Sequence, residues 1–389
     1  MKLLIVCGQL LPEKSNNTNL VWSLIAHLQQ EHEVQVLSSC QSIPSNGSLN
    51  SVVDGVNIWF SAAFKMSYVN KLRRRISSLR WDRGGLGDAA QTSTLLSCMQ
   101  QIKKEYPFDA VLTTVEPYAG AVAISRLPRK TRCAVYLMDP TIYSNAPSEK
   151  VSYRVHTLNP ILSHVQAVVT TPFIQKALNN SGYDLQHWEI IPVGFPLVIP
   201  HNAAKQKQDD VKIHLLFCGW LYSHIRSPKY FLDIVSRLDD RFVVTFMGRE
   251  CEKLTERFDV QTKAELITLP QQPYETALQA MADADIMINI GNSVPVHMPS
   301  KTLEYINTGK PFVNFYKMDD CPTLYYTKRY PLCLNLSEND PDIESAAARF
   351  VKFCVENKGK TVDRAYIESE YADCTPEYIA KKILDALGE

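Results

Sequence analysis

The sequence predicts an α/β protein built as two doubly wound, Rossmann-like domains with a cleft between them. Three observations carry this expectation. Near-continuous apolar runs such as Lys2–Gly8, Ala167–Thr170, Ile213–Gly219 and Ile286–Gly291 are bounded by polar turns, as strands of a parallel sheet covered on both faces must be. Segments with apolar residues at helical spacing separate them, which is the alternation of a doubly wound sheet. At 389 residues the chain is too long for one ordinary core. The alternation breaks once, at Pro196–Asp210, where prolines precede the polar run Ala203–Asp210. The expected domains are 1–198 and 199–374.

Composition narrows the class. The chain is 45% apolar and 21% charged with zero formal net charge, so only local charge selects a partner. Ten cysteines lie scattered without CxxC pairs or metal-ligand spacing, which suits a reducing cytoplasm better than a disulfide framework. Cys7 and Cys218 sit inside apolar strands and are expected as core residues. Met1–Val6 opens like a signal peptide, but Gln9 and Glu13 cut the apolar run short, so a buried first strand is expected. No stretch approaches the roughly 18 apolar residues of a membrane span.

In the first domain, strand Lys2–Gly8 leads to a helix over Thr18–Gln30 with Leu20, Leu24, Ile25 and Leu28 on one face. Asn16, Asn17 and Thr18 at its head fit N-capping. Glu33–Ser38 is the second strand, and no GxGxxG joins the two, which weakens a dinucleotide reading. Val52–Phe60 is a further strand with a turn at Asp54-Gly55. Lys65–Arg83 then carries Lys65, Lys71, Arg73, Arg74, Arg75, Arg80 and Arg83 against Asp82, with Leu72, Ile76 and Leu79 at helical spacing. Such a segment suits an anionic lipid surface; a solvated helix face is the alternative. No RNA-binding motif accompanies it, so nucleic acid is not expected. After the glycines at 84, 85 and 87 come a helix over Asp88–Glu105 and strands Phe108–Thr114 and Thr131–Met138. Glu116 and Asp139 follow those strands directly, at the ends where such sheets bind ligands, or else they cap the next turns. A helix at Glu149–Ser163, strand Ala167–Thr170, a helix from Pro172 and strand Trp188–Val193 complete the domain.

The second domain repeats the alternation. Strand Ile213–Gly219 runs into Trp220–Lys229, which places Arg226 and Lys229 a few residues past a strand end, where a guanidinium could clamp phosphates. Strands Arg241–Gly248 and Leu266–Leu269 end at Arg249 and at Pro270-Gln271. Helix Tyr274–Ala282 precedes Asp283-Ala284-Asp285 and strand Ile286–Gly291. Then comes the most informative stretch, His297–Pro311. Pro299 suits the first turn of a helix, and Gly309 with Pro311 stops it after roughly two to three turns. Such a helix would aim unpaired N–H groups, Lys301 and Glu304 outward from the sheet. Strand Phe312–Tyr316, a Cys- and Tyr-rich loop, strand Leu332–Leu336 and helices Ile343–Glu356 and Pro376–Leu387 end the chain.

Pro299-Ser300-Lys301, Glu304-Tyr305 and Gly309-Lys310-Pro311 resemble the nucleotide-sugar signature of bacterial GT-B glycosyltransferases, particularly the family-4-like enzymes of surface polysaccharide assembly. The resemblance implies GT-B architecture with the helix at 375–389 crossing back to the first domain. It implies that Glu304 grips the donor ribose, with Met298, Ser300, Lys301 and Thr302 beside it. Gly219, Arg226 and Lys229 would hold the diphosphate, and Arg249, Leu269 and Gln271 the base. Arg226 and Lys301 would stabilise the leaving group. Asn16, Asn17, Thr18, Glu116 and Asp139 would face donor sugar or acceptor, and Arg73, Arg74 and Arg75 the membrane side. Two departures stand out: Val296 replaces a Glu that usually touches the sugar, and no His accompanies Glu116. The implied reaction moves a sugar, from a UDP-sugar by preference, to a hydroxyl of a glycan or polyprenyl-linked acceptor in capsule, exopolysaccharide or O-antigen assembly. Retention of configuration, no cofactor and no metal are expected, because Asp283-Ala284-Asp285 has the spacing of a metal-binding pair but not its setting. The expected location is cytoplasmic, peripheral on the inner face of the plasma membrane. A nucleotide-sugar epimerase or phosphorylase, or a non-catalytic partner on the same fold, is the alternative.

Overall fold

The computed structural model describes residues 1–8, 10, 16–39, 50–63, 89–115, 118–138, 163–180, 189–194, 211–222, 225–293 and 298–389. The chain divides into two compact units, Met1–Leu197 with Asp373–Glu389, and Val198–Ala372. The expected linker Pro196–Asp210, the basic segment Lys65–Arg83 and all but the last residue of the helix expected at Glu149–Ser163 lie outside the described residues.

The first unit holds β1 (Lys2–Cys7), α1 (Asn16–Leu28), β2 (Glu33–Ser38), β3 (Asn50–Val53) and β4 (Val56–Phe60). It continues with α2 (Ala89–Glu105), β5 (Ala110–Val115), α3 (Tyr118–Ile124), β6 (Arg132–Leu137), β7 (Ala167–Thr170), α4 (Pro172–Asn180) and β8 (Glu189–Pro192). The sheet order is β3-β4-β2-β1-β5-β6-β7-β8, parallel except at β3–β4. The run expected at Val52–Phe60 with a turn at Asp54-Gly55 is a hairpin, in which Asp54 and Gly55 both take positive φ and reverse the chain.

The second unit holds β9 (Ile213–Cys218), α5 (Lys229–Val235), β10 (Phe242–Met247), α6 (Cys251–Glu256), β11 (Glu265–Leu269), α7 (Tyr274–Asp283) and β12 (Ile286–Ile290). After these come α8 (Lys301–Asn307), β13 (Phe312–Tyr316), α9 (Pro322–Thr327), β14 (Cys333–Ser337), α10 (Ile343–Asn357) and α11 (Arg364–Glu370). All strands are parallel, in the order β11-β10-β9-β12-β13-β14. The last helix, α12 (Pro376–Ala386), packs against α1, β7 and β8 of the first unit, and Arg132 there donates to the carbonyls of Leu387 and Gly388 at 2.8 and 3.0 Å.

One face of the second sheet is sealed by aromatics: Phe231 of α5 lies 5.2 Å from Phe315 and 5.8 Å from Phe350 between ring centroids. Each such buried ring stabilises the unit by roughly 1.5–3 kcal/mol. The opposite face carries a buried polar row in strand register. Asn289 donates to Asn314 at 2.7 Å, Asn314 to Asn335 at 2.8 Å, and Thr327 of α9 to Asn335 at 2.7 Å. Every amide in the row has a partner, as burial requires. Described cysteines are free, and all but Cys333 are buried. No helix among the described residues is long and apolar enough to cross a membrane.

Candidate functional site

The second sheet changes direction at β9. The chain steps outward through β10 and β11, then returns to place β12 on the other side of β9. At such a switch point the loops after the two central strands diverge and leave a crevice at their carboxyl ends. Here β10 pairs with β9 as far as Met247–Cys218, but β12 pairs with β9 only as far as Ile288–Phe217. Past the strand ends the β10 side stays joined: Gly219 N–H donates to Met247 at 2.9 Å and Leu221 N–H to Arg249 at 3.1 Å. Gly248 has φ +138°, and a Cβ there would lie 1.9 Å from the Gly219 carbonyl oxygen, so only glycine lets the two turns meet.

Helix α8 enters the crevice. It begins at Lys301, so Pro299 lies before the helix and only Thr302 N–H reaches back to its carbonyl, at 3.1 Å. Gly309, at φ +74°, ends the helix after two turns, where the sequence places its stop. Met298 and Thr302 are buried, and Thr302 bonds Asn289 at 3.4 Å, while Ser300 makes no side-chain cap. Lys301 and Glu304 were expected to face ligand separately. They instead form an ion pair of 2.5 Å with side chains 13% and 11% exposed, one turn apart on the same helix face. Burial is the largest influence and works to lower the Lys301 pKa, but Glu304 and Cys218 together hold it raised. The Tyr274 ring lies 5.4 Å from the same ammonium. Tyr305, fully buried, accepts the Cys218 N–H at 3.0 Å and donates to the Cys218 carbonyl at 3.1 Å.

Arg226 stands at the other wall. Its Nε donates to Asn292 at 2.9 Å and an Nη to the Trp220 carbonyl at 3.2 Å. Loss of hydration pulls its pKa down to about 10, so it remains protonated at neutral pH. Burial raises the Tyr305 pKa most, and among the smaller influences Glu304 raises it and Arg226 lowers it. A Cβ on Gly219 would lie 3.7 Å from an Arg226 Nη, and Lys301 and Glu304 stand on the helix whose Tyr305 bonds Cys218, so the four gather past the end of β9. Lys229 does not join them by its ammonium, which pairs with Asp233 at 2.8 Å on the solvent face of α5. Arg249 stacks its guanidinium 4.4 Å over the ring of Trp220, which in turn stacks on Tyr222 at 4.3 Å. The Leu269 carbonyl takes the Gly248 N–H at 3.0 Å, and Gln271 is exposed just past β11.

Asp283-Ala284-Asp285 lies at the opposite end of the sheet. Asp285 there accepts the His214 N–H at 3.0 Å and pairs with Lys358 at 3.7 Å. Glu116, Asp139, Val296 and Arg73, Arg74 and Arg75 lie outside the described residues, as do the side chains of Asn16, Asn17 and Thr18, although α1 begins at Asn16. The sequence reading gave no role to Asn292, Tyr274 or the Tyr305 hydroxyl. Only the position of Asn292, two residues past a buried strand, could have signalled one.

Known proteins resemble the chain in fold. No family model matches the sequence, and no curated protein matches it. Among solved structures, sucrose-phosphate synthase from Thermosynechococcus elongatus aligns over 99% of this chain and 98% of its own, with TM-score 0.67 and 10% identity. The Anabaena protein HepE, solved in complex with UDP-glucose, aligns over 100% and 99% with TM-score 0.63 and 14% identity. A trehalose-6-phosphate synthase studied for glycosyl transfer with retention aligns over 100% and 99% with TM-score 0.65 and 9% identity. The chain has the GT-B fold.

Proposed function

We propose that the chain is a glycosyltransferase that takes a nucleoside diphosphate sugar, a UDP-sugar by preference, and moves the sugar to a hydroxyl of a glycan or lipid-linked acceptor. The observation that carries this reading is the gathering of Gly219, Arg226, Lys301 and Glu304 at the switch point of the second sheet. Its fold is shared with a protein solved with UDP-glucose, which supports the same choice of donor.

The chemistry follows from the charges. The bond from the anomeric carbon to the diphosphate breaks, its electron pair leaves with the phosphate oxygen, and the acceptor oxygen bonds the anomeric carbon. Arg226 stabilises the growing negative charge from a fixed position. Lys301 gives one N–H to Glu304 and keeps two for phosphate, while Glu304 keeps acceptor capacity for the ribose hydroxyls. The acceptor proton passes to a base, for which Glu116 and Asp139 are the candidates. Transfer proceeds with retention, in assembly of a bacterial surface polysaccharide at the cytoplasmic face of the plasma membrane.

Panels of UDP-, GDP- and dTDP-sugars should raise the melting temperature, most with a UDP-sugar, because ligand binding stabilises by mass action. Arg226→Ala should then lower sugar transfer on the order of 10²-fold. No thermal shift with any donor would end this reading. For the membrane side, replacing Arg73, Arg74 and Arg75 with Ser should weaken binding to anionic vesicles and reduce its salt dependence. Unchanged vesicle binding would make Lys65–Arg83 an ordinary solvated face.

A further inference from the structure

Tyr305 occupies a place that backbone would otherwise fill. In a parallel sheet each strand residue sends its N–H and C=O to one neighbour, and Cys218 sends both toward the β12 side. The last ladder pair, Phe217–Ile288, still sets the Ile288 carbonyl toward the Cys218 N–H, but no β12 residue is registered beside Cys218 to meet its oxygen. The Tyr305 hydroxyl adds to the first bond and supplies the second, accepting the N–H at 3.0 Å and donating to the oxygen at 3.1 Å. One phenol thus stands in for the N–H of the next strand residue. The replacement comes from α8, the helix that carries Lys301 and Glu304. Those two charges also reach the Cys218 thiol, Lys301 lowering its pKa and Glu304 raising it, although burial is the largest influence and raises it. The split is bridged a second time by Arg226, bonded to Asn292 two residues past β12 and to Trp220 two residues past β9.

We propose that Tyr305 is a positioning residue for nucleotide binding: its hydroxyl fixes the end of β9 to α8, so that Gly219, Arg226 and the Lys301–Glu304 pair meet one nucleoside diphosphate at a set spacing. The inference rests on the donor reading above and names the device that holds that site open and in register. Without the hydroxyl, the Cys218 oxygen is left buried without that partner. It regains one only if the turn at Gly219 moves or water enters, and either change displaces the ligand contacts on one side of the crevice relative to the other. Apolar packing around the ring, including Phe312 at 6.4 Å, would be unaffected.

The test is Tyr305→Phe, which removes one oxygen atom and keeps the ring. Phe350→Leu serves as the matched control, because Phe350 packs with Phe231 and Phe315 on the other face of the same sheet. UDP affinity is measured by calorimetry well below the melting temperature of each variant. Tyr305→Phe should bind UDP about tenfold more weakly, the cost expected for stranding a buried polar group, while Phe350→Leu loses melting temperature but keeps wild-type affinity. Wild-type affinity in Tyr305→Phe would overturn the proposal and leave the donor reading standing. Equal losses of affinity in both variants would also overturn it, by reducing Tyr305 to general stability. Failure of the wild-type chain to bind UDP would sink both readings together.

Discussion

Among the described residues, the second sheet carries two largely covered lysine–glutamate pairs at its carboxyl ends, and they are not alike. Lys301–Glu304, at the switch point, closes to 2.5 Å with both side chains nearly covered. Lys317–Glu338, at the outer edge past β13 and β14, stands at 3.5 Å, with Glu338 only 7% exposed and its Oε1 without a partner. The first carboxylate has its charge matched at contact distance. Burial outweighs Lys317 for the second and pushes Glu338 up to about 7. Equal chemistry therefore gives two outcomes: a matched pair of charges, and a poorly matched carboxyl that changes charge near neutral pH. The difference is one of distance and satisfied oxygens, not of residue type.

The largest effect should come from breaking the matched pair. Glu304→Gln would leave the Lys301 ammonium buried without its counter-charge, a change that costs about 3–5 kcal/mol in comparable buried pairs. Loss of fold stability is thus expected together with loss of nucleotide affinity. Replacing both, Lys301→Met with Glu304→Gln, removes the stranded charge and should restore most of the melting temperature while nucleotide binding stays lost. Thermal melts and UDP calorimetry on the single and double variants decide the matter. A single variant as stable as wild type would show that the pair is solvated in solution.

The poorly matched pair should respond to pH in the opposite sense from an ordinary salt-bridged carboxylate. Glu338 titrates at about 7 when folded against 4.5 as the ordinary value. Between those limits the folded chain holds a proton that the unfolded chain has lost, so this group's contribution to stability falls as pH rises toward 7. Glu338→Gln removes that fall. The variant should match wild type near pH 4.5 and exceed it at pH 8 by about 3 kcal/mol. Denaturant melts at a series of pH values measure it; a wild-type advantage at pH 8 would mean that Lys317 holds the carboxylate ionised after all.

Sequence legibility followed the same division between local pattern and tertiary distance. Runs buried on both faces announced themselves, and strands such as Phe312–Tyr316 and Ala167–Thr170 stand where their apolar pattern places them. Helix α9 escaped notice in its Cys- and Tyr-rich setting because six residues have little helical signal of their own. Tertiary bonds hold it, Thr327 to Asn335 and the Tyr371 hydroxyl to the Tyr326 carbonyl. Asn289, Asn314 and Asn335 look unlike sheet interior until registered side by side. The charged residues of the site were visible as residue types at helical spacing. Their pairing was not, since Lys301 and Glu304 at that spacing suit a solvated face equally well. Nor does sequence reveal where β12 parts from β9, and the role of the Tyr305 hydroxyl depends on that point.

A third pair sets the lower end of the scale. Lys229 and Asp233 lie one turn apart on α5, at 2.8 Å, with side chains 64% and 44% exposed. The short distance suggests strength, but water surrounds both groups and screens the attraction, and ordering two long side chains offsets much of what remains. Their position past the end of β9 also made Lys229 the second candidate for a phosphate clamp. The proposed donor site gives that task to Arg226, which is anchored on two acceptors past the ends of β9 and β12, whereas the Lys229 ammonium is held by its own helix. Lys229→Ala should therefore change stability by less than about 0.5 kcal/mol and leave UDP affinity at the wild-type value. Calorimetry at low and moderate salt checks both points. A marked, salt-sensitive loss of UDP binding would move the clamp from Arg226 to Lys229 and would place an exposed lysine, not a matched buried pair, at the centre of donor recognition.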